Sequence, residues 1–325
     1  MKVGIIVNPR HARTTCVYEH LVEMLRCRRI RYRSVTTTRD WSGAEQARDL
    51  LEWDASLIIV IGGDGTLRSS APVLSATAVP VLIVPTGTAN VLSRHIGIRS
   101  AEHALRLVES HLTLRPARMC AVPVNVADCL TADGSRREPF LSLAGIGGDA
   151  RAVAGRTALP GALGTGLFGY MYGAARALFS PSVNAQIVEA NEFSLTDPPE
   201  QPSATIVATP MRQVWSVMAS KTARPAGPVP VFPHAEAVAE EFEFLAVTLT
   251  AAGLGGRLGE WARIASDCAY RRPGANPSMR YWRGTEVSIR VDEAAPVQLD
   301  GDLIGDCRRL DLQAGTQALS LLTPH

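Results

Sequence analysis

Two glycine-bearing segments hold the residues in this chain best suited to chemistry. The first, Gly62-Gly63-Asp64-Gly65-Thr66-Leu67, follows the apolar run Leu-Ile-Ile-Val-Ile at 57–61. A mostly β-branched run of that length reads as a strand buried on both faces. Glycine lets the chain turn sharply and lets a ligand approach the peptide plane. Thr66 or Ser69 could cap a helix opening directly afterwards. Strand, glycine turn and helix N-terminus together make an anion cradle, because free N–H groups point out of it. Phosphate is the anion such a cradle suits. Asp64 repels phosphate, so its presence suggests a bridging metal ion, or a hydroxyl to be held or deprotonated. The second segment, Pro85-Thr86-Gly87-Thr88-Ala89-Asn90, also follows a buried apolar run and opens a helical pattern. Two such turns on one edge of a sheet form a shared ligand cleft. Neither is a Walker A loop, which needs Gly-Lys-Ser/Thr, and neither is Gly-x-Gly-x-x-Gly.

The elements that must position these turns alternate. Strand patterns at 3–7, 32–37, 57–61 and 79–84 are separated by helical patterns at 18–26, 42–51 and 66–75, with further helices at 89–95 and 101–110. Ser42 and Glu45 have the spacing of a capping box. Such alternation implies a parallel sheet covered on both faces, with ligands beyond the carboxyl ends of its strands. From about residue 119 strand-like runs dominate, at 120–127, 140–144, 184–190, 204–209, 242–249, 286–291 and 297–299. Asp133-Gly134 marks a hairpin between the first two, helical patterns appear at 167–179 and 258–265, and the proline-rich stretch 221–235 reads as an extended loop. The expected fold is α/β. A parallel-sheet three-layer domain spans 1–118 and an antiparallel β-sandwich spans 119–305. Residues 306–325 return to the first domain.

Composition narrows the function classes. Hydrophobic residues make up 46% of the 325, enough for a full core, and no uncharged apolar window reaches the length of about 18 residues that a membrane span needs. The net charge of +2 gives no reason to expect a nucleic-acid partner. The chain enters a strand pattern at once, without signal-peptide features, so the expected location is the cytoplasm, with peripheral contact at the inner membrane face. Six scattered cysteines without zinc spacing read as reduced. Among 33 basic side chains only Lys2 and Lys221 are lysine.

Taken in order, these motifs resemble the diacylglycerol kinase catalytic family. That family includes bacterial lipid kinases, sphingosine kinases and ceramide kinases, and is related to the NAD kinase and phosphofructokinase group. Asn8-Pro9 resembles its NPxSG element, Gly62-Gly63-Asp64-Gly65-Thr66 matches GGDGT, and Pro85 to Asn90 is similar to PxGTxN. Gly145-Ile146-Gly147-Gly148-Asp149-Ala150 resembles a G-x-G-x-D-A segment, and Asp300-Gly301-Asp302 a late DGE. The resemblance implies ATP with Mg²⁺ as cofactors. ATP would lie over Gly62, Gly63, Asp64, Gly65 and Thr66, with Thr88, Asn90, Asn8 and Thr38 completing the pocket. Asp302 would accept the proton of the acceptor's hydroxyl, with Asp300 assisting it or holding Mg²⁺ and Asp64 in the catalytic set. The implied acceptor is a lipid such as diacylglycerol or a sphingoid or ceramide-type lipid, bound by the second domain. A homodimer is also implied. Read without the resemblance, Asp300-Gly301-Asp302 is a hairpin turn.

The chain departs from the family pattern at several points. The phosphate-contacting Ser-Gly is replaced in Asn8-Pro9-Arg10-His11-Ala12, leaving Arg10 or Arg13 as a substitute ligand. Arg68-Ser69 stands where Asn-Glu is usual, and Asp302 is one methylene shorter than glutamate. A family DG-containing segment would supply an acidic structural Mg²⁺ site ahead of the strand at 242. The chain has Glu236-Ala237-Val238-Ala239-Glu240-Glu241-Phe242 there, and that metal site is not carried over. The alternatives to a lipid kinase are a kinase of a soluble alcohol or specialised metabolite on the same fold, and a degenerate member that binds nucleotide or lipid without transfer.

Overall fold

The computed structural model describes residues 1–10, 12–113, 118–157, 173, 176–190, 206–208, 210–225, 229–251 and 253–324. They form two compact units, Met1–Val124 with Gly315–His325, and Asn125–Ala314. The first begins β1 (Lys2–Val7), α1 (Arg13–Cys27), β2 (Arg31–Thr36), α2 (Ala44–Glu52), β3 (Leu57–Gly62) and α3 (Asp64–Leu74). It continues β4 (Val81–Pro85), α4 (Val91–His95), α5 (Ala101–Leu112) and β5 (Arg118–Pro123). The second unit opens with β6 (Asn125–Thr131), β7 (Gly134–Phe140), β8 (Leu143–Gly147), α6 (Gly148–Thr157) and β9 (Val183–Ala190). Then come β10 (Ile206–Ala208), β11 (Arg212–Val214), β12 (Ser216–Ser220), β13 (Phe242–Val247) and α7 (Gly253–Ala269). It closes with β14 (Met279–Gly284), β15 (Glu286–Leu299) and β16 (Asp302–Gln313), after which β17 (Ala318–Thr323) belongs to the first unit.

Among the described residues the first unit's sheet runs β2-β1-β3-β4-β17-β5. Every neighbouring pair is parallel except β17 and β5. β3 and β4 are buried along their whole length, as their unbroken apolar runs predict. Ile5, Ile59 and Leu82 pack against Leu21 and Leu25 of α1 and Leu105 of α5. The chain passes from β1 to β2 on one side and then to β3 on the other, so the strand order reverses between β1 and β3. In open α/β sheets ligands bind beyond the carboxyl ends at such a reversal.

Two helix starts differ from the sequence reading. α3 opens at Asp64 rather than Thr66, with Gly63 as an extended N-cap and no side-chain cap. A carboxylate is favoured in the first helical turn, and Thr66 is thereby drawn inside. At α2 the expected capping box does not form: Gly43, at φ +155°, takes the cap position, and Glu45 pairs with Arg48 instead. The run 120–127 is two strands, β5 of the first sheet and β6 of the second. Pro123 cannot donate to a ladder, and the sheets part beside it. The boundary placed at 118 therefore lies at Val124, and the one placed at 305 lies at Ala314, because β16 runs on to Gln313.

In the second unit the described strands join one antiparallel sheet of eleven. The Asp133-Gly134 hairpin links β6 to β7, pairing Thr131 with Gly134. The early part of β15 pairs with β9 and its last three residues with β8, across a register shift between Arg290 and Ala295. Such irregularities let one strand serve both layers of a sandwich. Ile187, Val217, Phe244, Val297 and Leu310 accordingly share a single core. Most of the helix expected over 167–179 lies outside the described residues. No described helix is long and apolar enough to cross a membrane, and all six cysteines are free.

Candidate active site

The carboxyl ends of β1, β3 and β4 bring most of the expected nucleotide residues together. Asn8, just past β1, donates from Nδ2 to Thr66 Oγ1 at 2.8 Å, and its own Oδ1 accepts from Arg10 N. Thr66 is buried. Both side chains therefore brace the start of α3. The two glycine turns meet backbone to backbone: a Cβ on Gly87 would lie 2.7 Å from Gly63 Cα and 2.8 Å from Asn90 Oδ1. Only glycine permits that approach. Asn90 sits in the left-handed region at φ +46°, and its Nδ2 donates to Gly87 O at 2.6 Å. Its Oδ1 is buried with no hydrogen-bond partner, an acceptor left open against the paired turns. Thr86, missed by the sequence reading, is buried and accepts from the Thr14 hydroxyl at 3.2 Å. Thr88 is exposed beyond Gly87. Thr38 is exposed after β2, where its Oγ1 accepts from Trp41 N.

Asp64 makes backbone contacts that the sequence did not show. Its Oδ2 accepts from Val91 N at 2.9 Å and its Oδ1 from Leu92 N at 3.4 Å. The carboxylate thus caps α4, and the negative charge complements that helix's N-terminus. It locks one glycine turn to the element that follows the other. A carboxylate is tolerable beside a phosphate cradle when its oxygens are already held by amides.

In the second unit, Asp300 and Gly301 form the two-residue turn between β15 and β16, with φ +51° and +87°. Positive φ at both positions is the signature of the turn that suits tight hairpins. Both Asp300 oxygens are engaged: Oδ2 accepts from Leu141 N, and Oδ1 from Ser142 N and Leu143 N, at 2.7–3.0 Å. Asp300 therefore anchors the turn onto the start of β8. Asp302, the first residue of β16, is exposed. Its turn has a second support. Gly301 N donates to Gln298 Oε1 at 2.8 Å, and Gln298 Nε2 donates to Asp149 Oδ2 at 3.0 Å. The Ser216 hydroxyl donates to the other Asp149 oxygen. Burial pushes the Asp149 carboxyl above the usual carboxylate range, against the hydrogen bonds from Ser216 and Gln298. Asp149 was legible as part of a glycine-rich motif, but its link to the Asp302 turn was not.

Lys221, noted in the sequence only as one of two lysines, was given no role there. It has no solvent exposure. Its ammonium donates to the carbonyls of Ala239, Glu240 and Glu241 at 2.8, 2.8 and 3.0 Å and lies 4.5 Å from the Phe242 ring centre. The available signal was its rarity among 31 arginines. A compact ammonium with three donors suits three converging carbonyls, whereas a planar guanidinium does not. The segment ahead of β13, where the resemblance would place an acidic structural Mg²⁺ site, thus already encloses a cation of the chain's own and does not fit a divalent ion as well.

Residues 2–122, which lie in the first unit, match the family model of the diacylglycerol kinase catalytic domain. No protein of curated function matches the sequence. Among solved structures, a diacylglycerol kinase from Bacillus anthracis aligns at TM-score 0.61 and 16% identity, over 99% of this chain and 96% of that one. A second Bacillus anthracis structure, whose diacylglycerol kinase designation is provisional, aligns at 0.67 and 17% over the same shares. Yeast NADH kinase in complex with NADH aligns at 0.53 and 10%, over all of this chain and 84% of the other. At these identities the likeness is one of fold: a mostly parallel N-terminal sheet and an antiparallel C-terminal one.

Proposed function

We propose that the protein is an ATP- and Mg²⁺-dependent kinase that phosphorylates a lipid hydroxyl. The observation that carries the nucleotide half is the abutting pair of glycine turns, Gly62 to Thr66 and Thr86 to Asn90, at the carboxyl ends of adjacent parallel strands. Backbone amides at Gly63 and Gly65, the open Oδ1 of Asn90 and the exposed hydroxyls of Thr88 and Thr38 are the groups suited to hold the nucleotide. Asn8, Thr66 and Asp64 keep those groups in place. Bound ATP with Mg²⁺ supplies the transferable phosphoryl group and the charge neutralisation that such transfer needs. Asp302 removes the proton from the acceptor oxygen, and the Asp300 and Gln298 contacts hold its turn still.

The direct test is purified protein with γ-labelled ATP, offered diacylglycerol, a sphingoid base, ceramide and soluble alcohols. Label passing to a lipid supports the proposal, and label passing only to a soluble alcohol overturns the lipid assignment. A second reading, nucleotide binding without transfer, is favoured by the use of Asp64 and Asp300 as backbone anchors. Calorimetric ATP binding with no labelled product from any acceptor would establish it.

One substitution probes the turns themselves. Gly87→Ala is expected to lower stability by about 1–3 kcal/mol, because the new methyl meets backbone that cannot retreat. It should also remove most of the upward shift in melting temperature that ATP gives the unmodified chain. A shift of undiminished size in the variant would place the nucleotide elsewhere.

A further inference from the structure

We infer that the solvent-facing side of α7 docks on an anionic lipid surface. The inference rests on the lipid-acceptor reading for its purpose, and on the helix alone for its geometry. One side of α7 is anchored. Ile264 and Cys268 are buried, and Trp261 sets its ring edge-on against Trp215 at 4.7 Å while its Nε1 donates to Leu178 O. On a neighbouring face Leu254, Leu258, Ala262, Ala265 and Ala269 recur at helical spacing, and every one is exposed. Leu254 is 66% exposed, Leu258 46%, and Tyr270 just past the helix 76%. Isolated exposed apolar residues are ordinary, but a stripe along a 17-residue helix marks an interaction surface.

The charges around the stripe select the occupant. Arg263, Arg271 and Arg272 lie on α7 or directly after it and are exposed, whereas the half-buried Arg257 donates to Ser180 O. The helix's two acids are turned to internal use. Glu260 Oε1 accepts from Thr250 N, Thr250 Oγ1 and Ala251 N, and Asp267 accepts from Asn276 Nδ2. An apolar stripe bordered by arginine fits the boundary between acyl chains and anionic headgroups. The first half of the helix points the same way. A Cβ on Gly255 or Gly259 would meet nothing within 4 Å, so packing demands neither glycine. Each weakens a water-exposed helix.

The test is flotation of the full chain, without ATP, on phosphatidylcholine vesicles with and without phosphatidylglycerol. Binding to the anionic vesicles is expected, falling as salt rises. The double variant Leu254→Glu, Leu258→Glu should lose on the order of tenfold in partitioning per leucine. Arg263, Arg271 and Arg272 changed together to glutamine should flatten the salt dependence. Wild-type partitioning by the leucine variant, or no preference for anionic vesicles by the unmodified chain, overturns the inference. So does a leucine variant that keeps vesicle binding but loses self-association in sedimentation, which would make the face a protein interface. Circular dichroism confirms that each variant is folded. Transfer to a short-chain acceptor dispersed in detergent keeps the two readings apart: the leucine variant retains it if docking alone is lost.

Discussion

Lys221→Met lowers the unfolding free energy by about 3 kcal/mol or more. The figure takes roughly 1 kcal/mol for each of the three carbonyls that lose their donor. Those carbonyls converge on a side chain with no solvent exposure, so water does not readily replace the ammonium. Against a total stability of about 5–15 kcal/mol, that is a large fraction. Methionine keeps the length and apolar stem, which separates the loss of the cation from the loss of packing. Lys221→Arg is expected to fail as a rescue. Urea unfolding monitored by tryptophan fluorescence checks both, and a methionine variant as stable as the unmodified chain refutes the cage. The pH dependence gives a second reading. Burial lowers the Lys221 pKa from 10.5 to about 8, with Glu241 and Glu240 opposing the shift. A depressed folded-state pKa contributes stability that is fully present above 10.5 and lost as pH falls through about 8. The gap between the unmodified chain and the methionine variant therefore widens as pH rises across that window.

Asp302→Asn is expected to cut phosphoryl transfer by about 10²–10⁴-fold, the usual worth of a positioned base. Asparagine matches aspartate in size and cannot act as the base. ATP affinity should not change, because the residues suited to the nucleotide belong to the first unit. Asp300→Asn is the informative contrast. An amide offers one acceptor oxygen where Leu141, Ser142 and Leu143 present three donors, so that variant should lose stability along with rate. Asp302→Glu lengthens the base by one methylene and should retain part of the activity. Single-turnover measurements with saturating ATP read these effects, and an asparagine variant at full rate removes Asp302 from the mechanism.

What the sequence made legible follows from how local each determinant is. The buried runs at 57–61 and 79–84 and the turns after them announce themselves through residue type alone. Their convergence on one edge follows from parallel topology. The amide contacts of Asp64 were not legible because its partners, Val91 and Leu92, lie 27 and 28 positions away, beyond the span over which capping patterns can be seen. β16 was missed for a related reason. Gly305 at φ +126° and a register shift interrupt its period-two pattern, and Asp306, Arg308 and Arg309 make it look like a polar loop. The Asp300-Gly301 pair was recognisable as a turn, whereas its clamp on the start of β8 depends on residues 157–159 positions distant. Lys221 shows the limit most clearly. Nothing in the neighbourhood of one lysine reveals that carbonyls some twenty residues on will fold around it.

The placement of β17 bears on how the chain is made. Its Leu321 pairs with Val81 on one side and Cys120 on the other, filling a gap in a sheet whose other strands are complete by residue 123. Val124 N also donates to Gln317 O, so the chain leaves and re-enters the first unit at one point. During synthesis the first unit begins to emerge before the second and yet cannot close until its last strand has cleared the ribosome. The unit between, residues 125–314, has all its strands by then. Vectorial folding ordinarily favours whatever emerges first. Here the order is inverted: the inserted unit is free to finish before its host, and the host's open β4 edge is the surface that nascent chains must keep from pairing with one another.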